Sequence, residues 1–495
     1  MCDDSGNLMA IAQQVINQKQ QLEQQQQLLL EQEEKNKQHQ QQQQQQQQRQ
    51  FGTSESTQFD LSPSPSDLSR LLFSDCRKTA HDSPSPPPAK IARVSLPEVA
   101  KEIEIADSTH WSSSKLLKSL INCSGIVDSD PDWAAISLIQ LRKHVNDRGS
   151  PVERLGFYVL NALQSRISSN MMQNLAMVDV SLENFANTYA AFSEACPYSK
   201  FAHLTANQEI LEATKSASMI HIIDFGIVNG VQWPALLQCF ATRSTGKPSR
   251  IRISGKIRAN PEGEISISFR ICIPVPFLGK APSRFLMATG NRLLEFAKAF
   301  DLNIEFEPIL TPIQELDHSC FKIDQGDAVV VNFVLQLYNL LDETPIAVER
   351  ALRLAKALNP TIVTLAEYEV SLNNVDFLDR FKNALTYYKA VFESIDSCFA
   401  REAEERLRIE KYLFGQRIAC IVGSTITERT EKKEQWKAIM ESCGFQKIQI
   451  SHYSVSQADH LLSNYSPKFS YVERDRAYLS ITWGEVEVIT VTLWH

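Results

Sequence analysis

The sequence predicts one large α/β domain with a mostly parallel sheet covered by helices on both faces, preceded by a helical cap and a disordered arm. Three observations carry this prediction. Strand-length apolar runs alternate with helix-length segments over residues 214–495. Leucine and isoleucine recur at three- and four-residue steps over residues 107–213. The first 106 residues have few aromatic side chains and are rich in glutamine and Ser-Pro steps.

The amino-terminal arm, residues 1–106, cannot bury enough apolar surface to offset the entropy of ordering, so we expect it to be disordered. Glutamine dominates residues 13–50 and ends in the run Gln40–Gln48. An adhesive interaction surface and a neutral repeat expansion are equal alternatives for this tract. Four Ser-Pro steps follow, at Ser62, Ser64, Ser83 and Ser85. We hypothesise that proline-directed kinases phosphorylate them, each phosphate adding roughly −1.5 to −2 charges.

The cap, residues 107–213, shows helical periodicity throughout. Ser150 before Pro151, with Glu153 three residues later, forms a capping-box pattern that predicts a helix start. We expect the apolar positions to form an ordinary helical core, with a dimer or partner interface on part of this surface as the alternative. The positions expected to bury one face of each helix are Leu116, Leu117, Leu120, Ile121, Ile136, Ile139, Leu141, Leu155, Val159, Leu163 and Ile167.

The apolar pattern of the remaining residues, 214–495, predicts a sheet whose strands are joined by helices. The predicted strands are Met219–Asp224, Arg250–Ser254, Leu302–Phe306, Ala328–Phe333, Thr361–Ala366, Lys447–Ile450, Tyr478–Trp483 and Val486–Leu493. The predicted helices include Arg284–Phe300, Pro345–Leu358 and Trp436–Glu441. Strands that are joined through helices run parallel to one another. The last two predicted strands follow each other directly, so we expect an antiparallel strand at the edge of the sheet. This is the layout of a Rossmann-like, methyltransferase-type sheet with an N-terminal helical cap.

Composition argues against several classes of protein. The formal net charge of −8 is not that of a general polyanion binder. Ten scattered cysteines without a C-x-x-C pair indicate reduced thiols in an intracellular protein and no zinc site. No stretch approaches the ~18 apolar residues of a membrane helix, and the start lacks a signal-peptide pattern. The common hydrolase, P-loop and metalloprotease motifs are also missing.

The principal enzymatic alternative is an S-adenosylmethionine-dependent methyltransferase or a similar small-molecule binder. Such sheets place a glycine-rich loop after the first strand and an acid at the end of the second. Here Asp224 precedes a loop with Gly226 and Gly230, but Val228 occupies the middle glycine position and the second strand ends in Ser254-Gly255. We therefore expect no cofactor and no catalysis. His221 is predicted to be a core histidine, and Asp224 to cap the following loop.

One segment suggests contact with nucleic acid. No acidic residue lies between Asp224 and Glu262, and six basic residues lie there: Arg243, Lys247, Arg250, Arg252, Lys256 and Arg258. Contact with DNA phosphates, mainly through the first four, is one hypothesis; a solvated basic edge is the other. Arg250 and Arg252 are expected to share one face of a strand. The mixed charges of residues 401–411 predict an exposed helix face with ion pairs.

Several short motifs follow one another along residues 220–494. Ile220-His221-Ile222-Ile223-Asp224, followed by Gln232-Trp233-Pro234, resembles a VHIID motif, with isoleucine in place of the leading valine. Asn359-Pro360, Tyr387-Tyr388 and Arg408-Ile409-Glu410 resemble a PFYRE region. Trp436 to Gly444 is similar to a W-x7-G element, and Trp483 to Trp494 to W-x10-W, with Thr-Leu-Trp in place of the usual Ser-Ala-Trp. These motifs, in this order, resemble those of the plant GRAS family.

The segments 377–380 and 415–418 look most similar to the scarecrow-like 4/7 branch. The resemblance implies a nuclear regulator of transcription that works through other transcription factors or co-regulators, and it leaves open both homo- or heterodimerisation and whether DNA is contacted directly. One departure is the stretch 256–272, which interrupts the usual family pattern. A surface hairpin and an unspliced stretch of the gene are the alternatives for it.

Overall fold

The structure is a computed structural model. It describes residues 112–168, 182–227, 230–256, 281–311, 315–342, 345–373, 376–423 and 429–495. The predictions for the amino-terminal arm lie outside the described residues. Those for Val228 and for residues 257–272 of the interrupting stretch also lie outside them.

The chain begins, in its described part, with the cap helices. They are α1 (Ser113–Ile126), α2 (Pro131–Leu141), α3 (Pro151–Ser168), α4 (Leu182–Ala195) and α5 (Pro197–Ala213). The capping box is confirmed, because the Ser150 amide donates to Glu153 Oε2 at 2.6 Å and the Glu153 amide to Ser150 Oγ at 3.5 Å.

The cap helices bury most of the positions that the periodicity predicted; Leu117, Ile121 and Ile167 are partly buried, and two positions on α2 are exposed. Leu116, Leu120, Leu155 and others are buried. The expectation for Ile136 and Ile139 was wrong: their side chains are 47% and 68% exposed. Helix α2 instead buries Ala134, Leu138 and Leu141, which lie on its other side. Both sets follow helical spacing, so the period alone does not select the buried face.

The sheet contains nine strands among the described residues. They are β1 (Met219–Asp224), β2 (Arg250–Lys256), β3 (Ile304–Ile309), β4 (Asp327–Val334), β5 (Ile362–Tyr368), β6 (Lys447–Ile448), β7 (Phe469–Glu473), β8 (Leu479–Trp483) and β9 (Val486–Trp494). Their order is β3-β2-β1-β4-β5-β9-β8-β7, and β6 also pairs with β9. Strands β1 to β5 are parallel and β7 to β9 are antiparallel. The predicted Rossmann-like fold is confirmed, with one antiparallel strand, β7, that the sequence analysis missed.

Helices join the strands. They are α6 (Trp233–Thr242), α7 (Ala281–Ala299), α8 (Ile346–Ala357), α9 (Phe377–Cys398), α10 (Glu404–Ile409), α11 (Gln416–Val422), α12 (Lys433–Ser442) and α13 (His452–Leu462), with a π-helical turn at Glu410–Gly415 between α10 and α11. Strand β1 lies between β2 and β4, and all its residues except the first are buried. The strand order reverses at β1, and in open α/β sheets ligands bind outside the carboxyl ends of the strands at this switch point.

A buried ionic cluster joins the cap to α10 and the π-helical turn. Glu410 accepts from Arg154 Nε of α3 at 2.9 Å and from Arg406 Nη1 at 2.6 Å, and all three side chains are 0% exposed. Arg154 Nη1 also donates to Asp396 at 2.8 Å. The prediction of an exposed charged face for residues 401–411 was therefore wrong for Arg406 and Glu410, because Glu410 also pairs with Arg154 from the cap. Arg408 follows the prediction, being exposed and paired with Glu405.

Candidate functional site

The carboxyl end of β1 is organised by Asp224. Its Oδ1 accepts the Gly226 amide at 2.9 Å and Asn332 Nδ2 at 3.2 Å, and its Oδ2 accepts the Trp233 indole Nε1 at 2.9 Å. Burial raises the pKa of Asp224 to about 6, and these hydrogen bonds oppose the rise. The carboxyl group thus fixes the loop after β1 and the first residue of α6. The prediction that Asp224 caps the following loop is confirmed.

A chain of buried amides continues from Asp224 toward the cap. Gln232 Nε2 donates to Asn207 Oδ1 of α5 at 3.1 Å and to Asn332 Oδ1 of β4 at 3.2 Å. Asn207 Nδ2 donates to the Gln232 carbonyl at 2.9 Å, and Thr364 Oγ1 to Asn332 Oδ1 at 2.7 Å. The polar groups at the switch point therefore satisfy one another and tie the cap to the sheet.

The glycines beside this network make room for the protein's own side chains. A Cβ on Gly226 would lie 1.9 Å from Gln336 Cγ, and a Cβ on Gly255 would lie 2.7 Å from Ile227 Cγ2. In nucleotide-binding sheets the corresponding glycines let the backbone approach the cofactor. In this protein the side chain of Gln336 packs against Gly226 instead.

The end of β2 also lacks the group that would hold a ribose. The strand ends in Lys256, whose buried side chain donates to the Thr311 carbonyl. Burial lowers the pKa of Lys256 to about 8. A lysine at this position offers no acceptor for sugar hydroxyls. The residues present do not fit S-adenosylmethionine bound in the usual manner.

A cavity of about 90 Å³ lies between this crevice and the cap. It has room for roughly six to nine water molecules, and eight aromatic side chains form much of its wall. These are Tyr189, Phe192, Tyr198, Trp233, Tyr338, Tyr368, Tyr387 and Phe414. The Arg417 guanidinium lies 4.1 Å from the Tyr368 ring centre. Its volume is below the roughly 300–1,000 Å³ typical of small-molecule sites, and Asp224, Gly226 and Gln336 of the crevice also line it.

Glu367 at the end of β5 is a buried acid that the sequence analysis did not single out. Its Oε1 accepts the backbone amides of Gln336, Leu337 and Tyr338 at 3.0, 2.7 and 3.3 Å, and its Oε2 has no hydrogen-bond partner among the described residues. Burial raises the pKa of Glu367 to about 8. Glu367 therefore orients the segment carrying Gln336, which packs on Gly226. The feature of the sequence that could have identified Glu367 is an acidic residue near the end of an apolar strand.

His221 lies within the sheet and is fully buried, as predicted. Its Nε2 is 2.8 Å from Ser254 Oγ on β2, and its Nδ1 is 3.9 Å from Asp327 Oδ2 on β4. Burial lowers the pKa of His221 to about 4, so the ring is neutral at physiological pH. Its contacts join three neighbouring strands and are structural.

The basic residues proposed for DNA contact have acceptors within the protein. Arg243 donates to the carbonyls of Thr214 and Ala217 at 3.1 and 2.7 Å, beyond the end of α5. Lys247 Nζ donates to the Phe300 carbonyl at 2.8 Å and is 41% exposed. Arg243 thus satisfies backbone groups after a helix, whereas Lys247 keeps its charge partly in solvent.

Arg250 and Arg252 share one face of β2, as predicted, because both reach Asp324 Oδ2, at 2.5 and 3.4 Å. Arg250 also pairs with Asp327 at 2.7 Å, and Arg252 with Glu305 at 2.8 Å. A DNA phosphate would have to compete with these carboxylates. DNA contact through Arg243, Lys247, Arg250 and Arg252 stays a prediction.

The family motif residues in the second half of the chain lie mainly in the core. Tyr387 Oη donates to the Val488 carbonyl at 3.1 Å, and its ring packs edge-on against Tyr388. Pro360 is buried just before β5. Trp436 is buried in α12, which ends before Gly444 at φ +86°, a conformation that favours glycine.

The two tryptophans near the carboxyl terminus hold the antiparallel edge. Trp483 on β8 packs edge-on against Phe469 of β7 with ring centres 4.8 Å apart. Trp494 on β9 donates through its indole nitrogen to Thr492 Oγ1 at 2.9 Å and is fully buried. These motif residues therefore maintain the antiparallel part of the sheet.

Within the ranges that the structure describes, no group of histidine, cysteine, aspartate and glutamate side chains is arranged to hold a metal ion. In the same ranges, no helix has both the length and the apolar character needed to cross a bilayer.

Comparison with known proteins places these features in a family. The model of the GRAS domain family matches residues 116–495. SCARECROW-LIKE protein 7 of Oryza sativa subsp. japonica is 45% identical over 392 residues, which span 77% of this chain and 65% of that protein. Scarecrow-like transcription factor PAT1 of Arabidopsis thaliana is 32% identical over 391 residues, 77% of this chain and 76% of that protein. The crystal structure of SCL7 from Oryza sativa superposes with a TM-score of 0.67 and 45% identity, over 77% of this chain and 99% of that one. The chain belongs to the GRAS family.

Proposed function

We propose that this protein regulates transcription in the nucleus through contacts with other transcription factors or co-regulators. The observation that carries the proposal is the family match over residues 116–495, together with relatives that include a named transcription factor. The Rossmann-like fold by itself would not support this choice, because one fold serves many functions.

The arrangement of the crevice supports a function other than methyl transfer. Gln336 packs on Gly226, and Lys256 stands where a ribose-binding acid would be needed. Asp224 already accepts three hydrogen bonds from the protein. These side chains occupy or satisfy the positions that a nucleotide cofactor would use, which leaves the outer surfaces of the domain for binding macromolecules.

Recruitment to DNA through a partner is favoured over direct reading of the bases. All four basic side chains in the predicted patch contact carboxylates or backbone carbonyls, and Lys247 is the most exposed of the four. Phosphate contacts supply most non-specific DNA affinity, and each ion pair that must be broken reduces that contribution.

The experiment is affinity purification of the full chain from nuclear extract, with bound proteins and DNA quantified with and without nuclease. We expect partner proteins to remain bound to the chain after nuclease treatment. We expect the bound DNA to be lost when those partners are removed. Lys247→Glu tests the direct alternative, and Lys118→Glu, an exposed lysine on α1, is its matched control. Purified protein that binds duplex DNA alone, with Lys247→Glu weakening the complex and Lys118→Glu not doing so, would overturn partner-mediated recruitment.

A further inference from the structure

The cavity between the crevice and the cap opens to solvent beside Val231. The side chain of Val231 lines the cavity and is also 48% exposed, so it lies where the enclosed space meets the surface. The cavity has a volume of about 90 Å³, which is room for roughly six to nine water-sized groups. A compound with about that number of non-hydrogen atoms is of the size that fills it, whereas a nucleotide is too large.

The wall of the cavity suits a flat, apolar ligand. Its eight aromatic side chains come from the cap, from the sheet and from the helices that cover the sheet. Two of the tyrosine hydroxyls are used within the protein: Tyr198 Oη donates to Ser394 Oγ at 2.7 Å, and Tyr387 Oη donates to the Val488 carbonyl at 3.1 Å. These residues therefore contribute their rings to the wall, and aromatic rings pack favourably against one another.

The charges on the wall favour an anion. Among the described residues that line the cavity, Asp224 is the only acid, and it already accepts three hydrogen bonds from the protein. Arg417 is the only arginine or lysine there, and it is 5% exposed. Its guanidinium lies 4.1 Å from the ring centre of Tyr368 and 5.1 Å from that of Tyr338. These two rings orient the guanidinium, and its charge acts strongly because the site is largely screened from water.

His203 adds a polar group without a protein partner to the same wall. It lies on α5 one turn after Ser199, and both residues line the cavity. In the part of the chain that the structure describes, the ring of His203 forms no hydrogen bond. Burial lowers the pKa of His203 to about 4, so the neutral ring offers one N–H donor and one acceptor. A polar group in an enclosed space requires a water or a ligand as its partner.

We propose that this cavity binds a small aromatic carboxylate, in which one ring packs against the aromatic wall and the acid group pairs with Arg417. Benzoate, with about nine non-hydrogen atoms, matches the volume. The planar guanidinium fits a carboxylate through two parallel hydrogen bonds, and the N–H of His203 is a further donor on the wall. The wall is built from both the cap and the sheet, so a bound ligand stabilises their junction. This adds control by a small molecule to the proposed binding of partner proteins.

The test is a titration of the full chain with benzoate, followed by saturation-transfer NMR and by the thermal midpoint of unfolding. We expect saturable binding with a dissociation constant of roughly 0.1–5 mM, which is the range for a ligand of this size, and a rise in the midpoint. Benzyl alcohol and benzylammonium keep the ring but lack the acid group. Both should bind at least about tenfold more weakly than benzoate, because they cannot form the charge-assisted pair with Arg417.

Three variants locate the binding to the cavity. Arg417→Met removes the charge and should weaken benzoate binding at least about tenfold. Arg353→Met is the matched control and should bind benzoate as the unmodified chain does, because Arg353 is exposed on α8 and does not line the cavity. Val231→Trp narrows the opening from an exposed position and should abolish binding while the core stays intact. This third variant decides the question if Arg417→Met does not fold.

Three results would overturn the proposal. The first is the absence of saturable binding up to roughly 20 mM benzoate. The second is benzyl alcohol that binds as tightly as benzoate. The third is an unchanged affinity for benzoate in Val231→Trp or in folded Arg417→Met.

Discussion

The buried ionic cluster allows a sharp test of how the cap is held. Glu410→Gln keeps the shape of the side chain and removes its charge, leaving the guanidinium groups of Arg154 and Arg406 in a site that is 0% exposed. Asp396 is then the only carboxylate that contacts Arg154 among the described residues. Removing one partner of a buried ion pair costs about 3–5 kcal/mol, because the remaining charge is desolvated without compensation.

The assay is urea denaturation of the full chain, followed by tryptophan fluorescence. Glu410→Gln should lower the free energy of unfolding by about 3–5 kcal/mol, whereas Arg408→Gln, in the same segment but exposed, should change it by about 0–1 kcal/mol. The double variant Arg406→Gln/Glu410→Gln should lose less than the sum of its single variants, since the two groups contact each other. Equal effects of the substitutions at residues 408 and 410, or additive effects in the double variant, would refute the reasoning.

Two further predictions concern a buried acid and a packed glycine. Burial raises the pKa of Glu367 from 4.5 to about 8, so the folded protein binds this proton more tightly than the unfolded chain and stability falls as pH rises through that window. Glu367→Gln should remove roughly 1–3 kcal/mol of that fall in urea titrations at about pH 5.5 and pH 8; an unchanged pH dependence would contradict the assignment. Gly290→Ala in α7 should lose about 1–3 kcal/mol because its Cβ would lie 2.2 Å from the Phe306 ring. Gly125→Ala in α1, with open space around it, should instead gain roughly 0.5–1 kcal/mol in the same measurement, and equal effects at the two glycines would argue against this packing.

The sequence predicted the central strands well because they are buried on both faces. Strand β1 is an apolar run interrupted by His221 and ends at the acid that caps its loop, as the pattern indicates. Strand β7 was missed because it is the edge strand, with Phe469 its only fully buried side chain. An edge strand with exposed residues carries little hydrophobic pattern.

The misjudged charges have a common physical cause. Glu410 lies in a segment of mixed charge that is typical of a solvent-exposed helix, and its burial depends on Arg154 from a distant part of the chain. Arg250 and Arg252 were correctly placed on one face, but their acidic partner Asp324 precedes β4 and is close only in the folded sheet. Local spacing gives the direction of a side chain and not what lies opposite it.

The crevice was predicted only in part. The missing acid at the end of β2 was visible in the sequence, whereas the contact of Gln336 with Gly226 depends on the loop after β4. The raised pKa of Glu367 depends in the same way on burial that the folded chain creates.

The most direct measurement is isothermal titration calorimetry of the full chain with S-adenosylmethionine. If Gln336, Asp224 and Lys256 leave no place for the cofactor, no saturable binding should occur up to roughly millimolar S-adenosylmethionine. A dissociation constant of that size corresponds to a binding free energy of only about 4 kcal/mol. One-to-one binding at micromolar concentration that Asp224→Asn abolishes would contradict the account, because the switch point would then hold a nucleotide cofactor.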